Sequence, residues 1–262
     1  MPKLFKNAFT DYQLEELFDY VIIDEGQDIF RSVYMDCIEL LLNGGWDSNA
    51  WVIFMDKEFQ TIYSDFDNEY LQLFKKSYPA VLWDLDRNCR NTPSTIRKAH
   101  VHTGLKELEC LKKDRLKPEL NFYKTFQDLF NSVEKLIDSL SAQAIRLGAI
   151  SILSNKNTIE QFLSNNSSRY IKLKDNACQI PSDKVTLSTP HSFKGLENDF
   201  IIYTGRDHFD PENSNIKVEY YVSYTRARTQ LYLFFDEATR ERLTEYSNEV
   251  IRTDIKKILS NE

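Results

Sequence analysis

Short runs of consecutive apolar residues alternate along this chain with longer segments in which apolar residues recur at helical spacing. Apolar runs that are too short for a typical helix predict buried strands. Strands that alternate with helices are typical of a parallel sheet covered by helices, so the pattern predicts an α/β fold. The predicted strands are Tyr20–Ile23, Trp51–Met55, Val81–Leu85, Ala149–Leu153, Phe200–Tyr203 and Leu231–Phe235.

Two segments have the clearest helical pattern. Between Gln127 and Gln143 the apolar residues form one continuous stripe, and the chain after Ala238 repeats this spacing. Both stripes predict amphipathic helices. The less apolar segment from 164 to 184 is predicted to be an irregular connection with room for one short strand.

Composition and charge narrow the class of protein. The 262 residues suffice for one large domain or two small ones, and a hydrophobic content of 42% excludes a disordered tail. A net charge of −7 disfavours a wholly basic surface but is compatible with one basic groove. No apolar run approaches the length of a membrane span and no secretory signal is present, so we expect a cytoplasmic protein. The four scattered cysteines predict neither a disulfide framework nor a zinc site.

The segment VIIDEGQD (21–28) has the strongest chemical signal. A predicted buried strand ends and two carboxylates, Asp24 and Glu25, follow directly, at the edge where open α/β sheets place their ligands. A magnesium ion bound to a nucleotide needs a hard oxygen ligand there, which Asp24 offers, and Glu25 could orient an attacking water. The alternative is a solvated acidic turn, since acidic residues commonly follow strands.

The segment DEGQD resembles motif II of the superfamily 1 DNA helicases of the UvrD/Rep type. Four later segments resemble further motifs of that family in the family's order. WVIFMDKEFQTIY (51–63) looks like motif III, and LDRNCRNTPSTI (85–96) looks like motif IV. LSTPHSFKGLENDFIIY (187–203) matches motif V almost letter for letter, and YYVSYTRARTQLYLF (220–234) matches motif VI.

The resemblance implies RecA-like parallel sheets flanked by helices, with ATP and Mg²⁺ as cofactors. Asp24 and Glu25 would be the Walker B pair, in which Asp24 holds the Mg²⁺ and Glu25 acts on the attacking water. Gln60 would sense the terminal phosphate. Arg90 and Arg226 would reach the γ-phosphate, a role that suits a guanidinium with its fixed pair of donors.

The resemblance also implies contacts to the sugar and to single-stranded DNA. Glu197 would hydrogen-bond the ribose, and Gly195 belongs to the same nucleotide-binding motif. Tyr63, Thr189 and His191 are candidates for DNA contact. Stacking of bases on an aromatic ring tolerates any sequence, which suits a translocase.

The chain departs from the family pattern at several points. A helicase of this family needs a P-loop, G-x-x-x-x-G-K-[ST], and the sequence contains no Gly-Lys-Ser or Gly-Lys-Thr. Only 23 residues precede Asp24, so we expect the front of the first RecA-like lobe to be missing. Cys89 stands where motif IV usually has an aromatic residue that stacks on the adenine. Asp56 and Gln60 are four residues apart where the family has three, and Ser64–Phe66 replaces a Trp-Arg pair.

The expected organisation is therefore a truncated first RecA-like lobe at 1–86, with motifs II and III, and a second lobe at 87–262, with motifs IV, V and VI. ATP is expected in the cleft between the lobes, with single-stranded DNA across both. The first hypothesis is a portion of an ATP-dependent DNA helicase or translocase, inactive as this chain alone, whose P-loop lies on a missing segment or a partner chain. The alternative is a non-catalytic helicase-like module that binds DNA or a partner protein.

Overall fold

A computed structural model of the chain describes residues 2–11, 17–48, 50–55, 67–78, 80–85, 87–114, 116–174, 177, 179–181, 183–205, 209–210 and 212–260. The chain divides into two units, Met1–Leu85 and Asp86–Glu262, which we call unit 1 and unit 2. No helix among these residues is long and apolar enough to cross a membrane.

Unit 1 is built around two parallel strands, β1 (Val21–Ile23) and β2 (Trp51–Ile53), which pair in the register Val21–Trp51 to Ile23–Ile53. Single turns of 3-10 helix occur at Gly26–Asp28 and Gly45–Ser48. The α-helices in the described part of this unit are α1 (Pro2–Asp11), α2 (Ser32–Leu41) and α3 (Asn68–Ser77).

The core of unit 1 is aromatic. The ring of Phe74 on α3 lies 5.3 Å from that of Trp46, 5.6 Å from that of Trp51 and 5.2 Å from that of Phe30, all close to edge-on. Edge-to-face aromatic pairs contribute roughly 0.5–1.5 kcal/mol each beyond the area they bury. A sheet of only two strands has marginal stability by itself. The aromatic cluster adds stability because it packs α3 against Trp51 of β2.

Unit 2 contains a six-stranded sheet whose strands are all parallel, in the order β5-β10-β9-β6-β8-β7. A separate parallel pair is formed by β3 and β4. The strands are β3 (Arg87–Asn88), β4 (Glu109–Cys110), β5 (Glu119–Tyr123), β6 (Ile150–Leu153), β7 (Tyr170–Lys172), β8 (Val185–Ser188), β9 (Asn198–Thr204) and β10 (Ala227–Asp236). The α-helices are α4 (Pro93–Thr103), α5 (Phe126–Ala142), α6 (Lys156–Asn165), α7 (Ser214–Thr225) and α8 (Arg240–Ser260).

This architecture confirms the predicted α/β class, with a parallel sheet flanked by helices. The strongest predicted helix is α5, which begins with a reciprocal cap. The Thr125 hydroxyl accepts a hydrogen bond from the Asp128 amide at 3.2 Å, and the Asp128 carboxylate accepts one from the Thr125 amide at 3.1 Å. Its apolar stripe of Leu129, Val133, Ile137 and Leu140 is buried against the sheet.

The strand predictions need correction in two ways: one predicted strand is absent, and β5 and β8 of the six-stranded sheet, like the short pair β3 and β4, were not predicted. Val81–Leu85 was predicted as a strand but is irregular, with Val81 89% and Trp83 83% exposed. No strand in the part of the chain that the structure describes pairs with this segment, and an apolar run forms a strand only when a neighbour takes its backbone hydrogen bonds. Conversely, β8 was not predicted, because the alternating polar residues of Val185–Ser188 hide a strand that is wholly buried.

His102, in the last turn of α4, is buried in unit 2 beside aromatic residues of α7 and β10. Its Nδ1 atom lies 2.9 Å from the Tyr224 hydroxyl, and its ring centroid lies 6.0 Å from that of Phe235. Burial lowers the pKa of His102 from 6.5 to about 3, and the charge of Lys98 adds to the effect. The folded protein therefore keeps this imidazole neutral at pH values where the unfolded chain binds a proton.

We predict that the free energy of unfolding falls as the pH drops below 6.5, because only the unfolded chain takes up the His102 proton until the pH nears 3. Between pH 6.5 and pH 5 this histidine alone should remove about 2 kcal/mol. Urea unfolding at several pH values should therefore give a shallower pH dependence for His102→Gln than for the wild type. The exposed histidine variant His191→Gln is the control, and equal slopes in all three proteins would contradict the assignment.

Candidate functional site

The acidic turn after β1 has an unusual backbone. Asp24 is exposed, and Glu25 adopts φ 51° and ψ 42°, the left-handed region that residues with a side chain rarely occupy. The Glu25 amide donates to the Asp24 carboxylate at 2.9 Å, and the buried Gln27 side chain donates to the Glu25 carboxylate. Strained backbone of this kind persists where the surroundings hold it and is concentrated at functional sites.

Gly26 fixes this turn against β2. Its amide donates to the carbonyl of Phe54 at 2.8 Å, and a Cβ atom at this position would lie 2.6 Å from the Ile53 side chain and 3.2 Å from the Phe54 carbonyl. Only glycine permits so close an approach. The Asp24 and Glu25 carboxylates therefore lie at the carboxyl end of the β1–β2 pair, as the sequence predicts.

The other predicted residues of unit 1, Gln60 and Tyr63, lie outside the residues that the structure describes. So does Asp56, with the remainder of the motif III segment up to residue 66. Their roles stay predictions.

In unit 2 the loop after β3 is tied to the start of β10. The Asn88 side-chain oxygen accepts from the amides of Arg90 and Asn91, at 2.9 and 2.8 Å, which closes the loop on itself. The buried Asn91 amide group donates to the carbonyls of Thr225 and Ala227, at 2.9 and 2.8 Å. These bonds join residues more than 130 positions apart and bring the motif IV segment against the motif VI segment.

The Arg90 side chain, carried by this loop, forms an ion pair with Glu197. Arg228 approaches the other oxygen of the same carboxylate at 3.7 Å and contacts Asp199 at 2.8 Å. Glu197 directly precedes β9, and Arg228 lies near the start of β10, so these groups gather at the amino edge of the sheet. The structure therefore brings together Arg90 and Glu197, which the resemblance places at one nucleotide site.

Arg226 lies at the same edge but in a different environment. It is only 1% exposed, and its Nε and Nη1 atoms donate to the carbonyls of Val222 and Leu196, at 3.1 and 3.4 Å. Its own carbonyl accepts from the Asn198 amide at 3.1 Å. Arg226 thus joins the end of α7 to the loop that carries Glu197, and its predicted contact with phosphate stays a prediction.

The loop from Thr189 to Glu197 crosses the sheet from the carboxyl end of β8 to the amino end of β9. The Thr189 hydroxyl accepts from the Ser192 amide at 3.1 Å, and Phe193 is fully buried and anchors the loop. His191 is exposed, and Gly195 is exposed with a φ of +79°, which favours glycine. Thr189 and Glu197, predicted to contact DNA and ribose respectively, therefore lie at opposite edges of the sheet.

A cavity of about 510 Å³ opens at the carboxyl edge of the six-stranded sheet, between the β5–α5 and β6–α6 loops. Its polar lining includes Lys124, Thr125, Asn155, Lys156 and Asp236, and no predicted site residue lines it. No group of three or more His, Cys, Asp or Glu residues in the described ranges is arranged to hold a metal ion by itself.

Arg90, Asn91, Glu197, Asp199, Arg226 and Arg228 form what we call the amino-edge cluster. Three of its members, Asn91, Asp199 and Arg228, are not predicted by the sequence. Asn91 lies inside the motif IV segment, and Arg228 lies in the motif VI segment, two residues after Arg226. The resemblance therefore identifies the two segments but assigns no role to these two residues. The signal for Asn91 was its polarity next to a helix start, which predicts a cap rather than a contact with a distant strand.

Comparison with known proteins gives a structural likeness only. No protein-family model matches the chain, and no curated protein matches it. Among solved structures, it is similar to the crystal structure of the C-terminal domain of a possible DNA helicase from Lactobacillus plantarum WCFS1. That match has a TM-score of 0.44 and 14% sequence identity, and it covers 57% of this chain and 87% of that one.

We predict that Asn91→Ala lowers the free energy of unfolding by about 1–3 kcal/mol, because two carbonyls lose the buried donor that they share. Asn91→Asp should destabilise at least as much, since it places a carboxylate against those carbonyls. Asn131→Ala, at an exposed asparagine of α5, is the matched control and should stay within about 0.5 kcal/mol of the wild type. Chemical denaturation measures all three, and a wild-type stability for Asn91→Ala would refute the role of this contact.

Proposed function

We propose that this chain is the portion of an ATP-dependent DNA helicase or translocase of superfamily 1 that follows the P-loop. The observation that carries the proposal is the cluster at the amino edge of the sheet in unit 2. Segments around Arg90, Glu197 and Arg226 are far apart in the chain, match motifs IV, V and VI, and meet there through direct contacts.

The side chains fit the chemistry of a nucleoside triphosphate. A guanidinium such as that of Arg90 offers two parallel donors to phosphate oxygens and can stabilise charge on a transferred phosphoryl group. The Glu197 carboxylate can accept hydrogen bonds from the two hydroxyls of a ribose. In unit 1, Glu25 has a carboxylate suited to orient a water or take its proton.

Asp24 fits a magnesium ion. Its exposed carboxylate is a hard oxygen ligand at the carboxyl end of β1, and Mg²⁺ in nucleotide sites is held by one or two carboxylates together with phosphate oxygens and waters. When bound, Mg²⁺ neutralises charge on the phosphates.

Two partners follow from the proposal. The 262 residues contain no Gly-Lys-Ser or Gly-Lys-Thr, so the P-loop must come from another segment or a partner chain. Single-stranded DNA is the proposed track, with Thr189 and the exposed His191 as candidate contacts at the carboxyl edge of β8.

A second candidate is a non-catalytic helicase-like module that binds DNA or a partner protein without nucleotide. The burial of Arg226 favours it, because that guanidinium is engaged with backbone carbonyls rather than open to a ligand. The two candidates differ in whether binding of single-stranded DNA responds to Mg-ATP. Only the first predicts a response, and the salt dependence of the binding separates DNA from protein partners.

We predict that the purified chain binds Mg-ATP weakly, with a Kd on the order of 1 mM, since the P-loop donors are absent. Isothermal titration calorimetry should show binding weakened about tenfold in Arg90→Gln, because one charged pair of phosphate donors is removed. Arg252→Gln, at an exposed arginine of α8, is the control and should bind as the wild type does. Unchanged binding in Arg90→Gln, or no binding of millimolar Mg-ATP by the wild type, would argue against the nucleotide site.

A further inference from the structure

The two arginines of the motif VI segment differ sharply in accessibility. Arg226 is buried and donates to two backbone carbonyls, whereas the Arg228 side chain is 43% exposed. The Arg90 side chain, which shares Glu197 with Arg228, is 37% exposed. Moving the Arg226 guanidinium toward a ligand would break its charge-assisted bonds to the carbonyls of Val222 and Leu196.

The backbone of β10 is irregular at Arg228. Ala227 pairs with Asn198 and Gln230 pairs with Phe200, so β10 advances three residues while β9 advances two. This extra residue is a β-bulge, a device that re-aims a side chain and is frequent beside active sites. Here it accompanies an outward-facing Arg228 next to the carboxylates of Glu197 and Asp199.

Two guanidiniums converge on one carboxylate. The Oε2 atom of Glu197 pairs with Arg90 Nε, and its Oε1 atom lies 3.7 Å from Arg228 Nη1. Arg228 also donates through Nε and Nη2 to one oxygen of Asp199, at 3.1 and 2.8 Å. A carboxylate and a phosphoryl group both offer anionic oxygens to the planar donors of a guanidinium. The Glu197 carboxylate, held between two arginines, therefore occupies a position that a phosphoryl group could take.

We infer, on the basis of the proposed function, that Arg90 and Arg228 are the residues of unit 2 that contact the terminal phosphates of a nucleoside triphosphate. Arg226 is a positioning residue, which holds the loop carrying Glu197 to the end of α7. Binding exchanges partners: phosphate oxygens replace the Glu197 and Asp199 carboxylates at the guanidiniums. The released Glu197 then becomes an acceptor for ribose hydroxyls.

The test is calorimetric titration of Mg-ATP and Mg-ADP into the full chain carrying single substitutions. Arg228→Gln should weaken Mg-ATP binding about tenfold and Mg-ADP binding less, because a contact to the terminal phosphate is lost. Its melting temperature should stay near that of the wild type, since the side chain is exposed. Asp199→Asn should tighten Mg-ATP binding about threefold, because it removes a carboxylate that competes for Arg228.

Arg226→Gln distinguishes the two roles. It should lower the melting temperature by several degrees and, measured well below that temperature, weaken Mg-ATP and Mg-ADP equally. Wild-type affinity in Arg228→Gln, or weaker binding in Asp199→Asn, would overturn the inference. If instead Arg226→Gln loses Mg-ATP selectively, Arg226 is the phosphate contact and the proposed function stands. If the wild type binds no Mg-ATP, the proposed function itself fails.

Discussion

The two hydrogen bonds from the Asn91 amide to the carbonyls of Thr225 and Ala227 are the constraint on which the site in unit 2 depends. The strand before this loop, β3, pairs with β4 and not with the six-stranded sheet. Asn91 and the packing of α4 against α7 therefore hold the loop beside β10. Because Arg90 is the adjacent residue, this buried contact sets where its guanidinium lies, and Arg226 does the same for the loop carrying Glu197.

The parallel sheet gives unit 2 two chemically distinct edges. Charged groups that suit a phosphorylated ligand gather where β9 and β10 begin, and the two loop residues proposed to contact DNA, Thr189 and the exposed His191, follow the end of β8. A nine-residue connection from Thr189 to Glu197 spans the two edges, anchored midway by the buried Phe193. A shift of that loop at one edge of the sheet would therefore displace residues at the other edge. The proposed coupling of nucleotide binding to movement along single-stranded DNA requires a connection of this kind.

Much of the fold was predictable from apolar pattern, and less of the site. The stripe of α5 and the apolar runs of β6, β9 and β10 are local signals, and each lies where the pattern predicts. The prediction omitted β8 because its polar residues interrupt the continuous apolar run that is typical of a strand buried on both faces. The prediction of a strand at Val81–Leu85 was wrong because an apolar run forms a strand only when a neighbouring strand takes its backbone hydrogen bonds. The pairing of Arg90 with Glu197 followed from the family resemblance alone. The role of Arg228 could not be predicted from the sequence, because its exposure accompanies a β-bulge that depends on how β10 pairs with β9.

The central claim is that the amino-edge cluster of unit 2 binds a nucleoside triphosphate. Hydrogen–deuterium exchange of the full chain, with and without millimolar Mg-ATP, tests it most directly because it reports where the ligand acts. The account predicts slower amide exchange in three separated segments, residues 88–92, 195–199 and 225–228, with little change in α5. Unchanged exchange in all three segments at a concentration that saturates binding, or protection confined to other parts of unit 2, would contradict it.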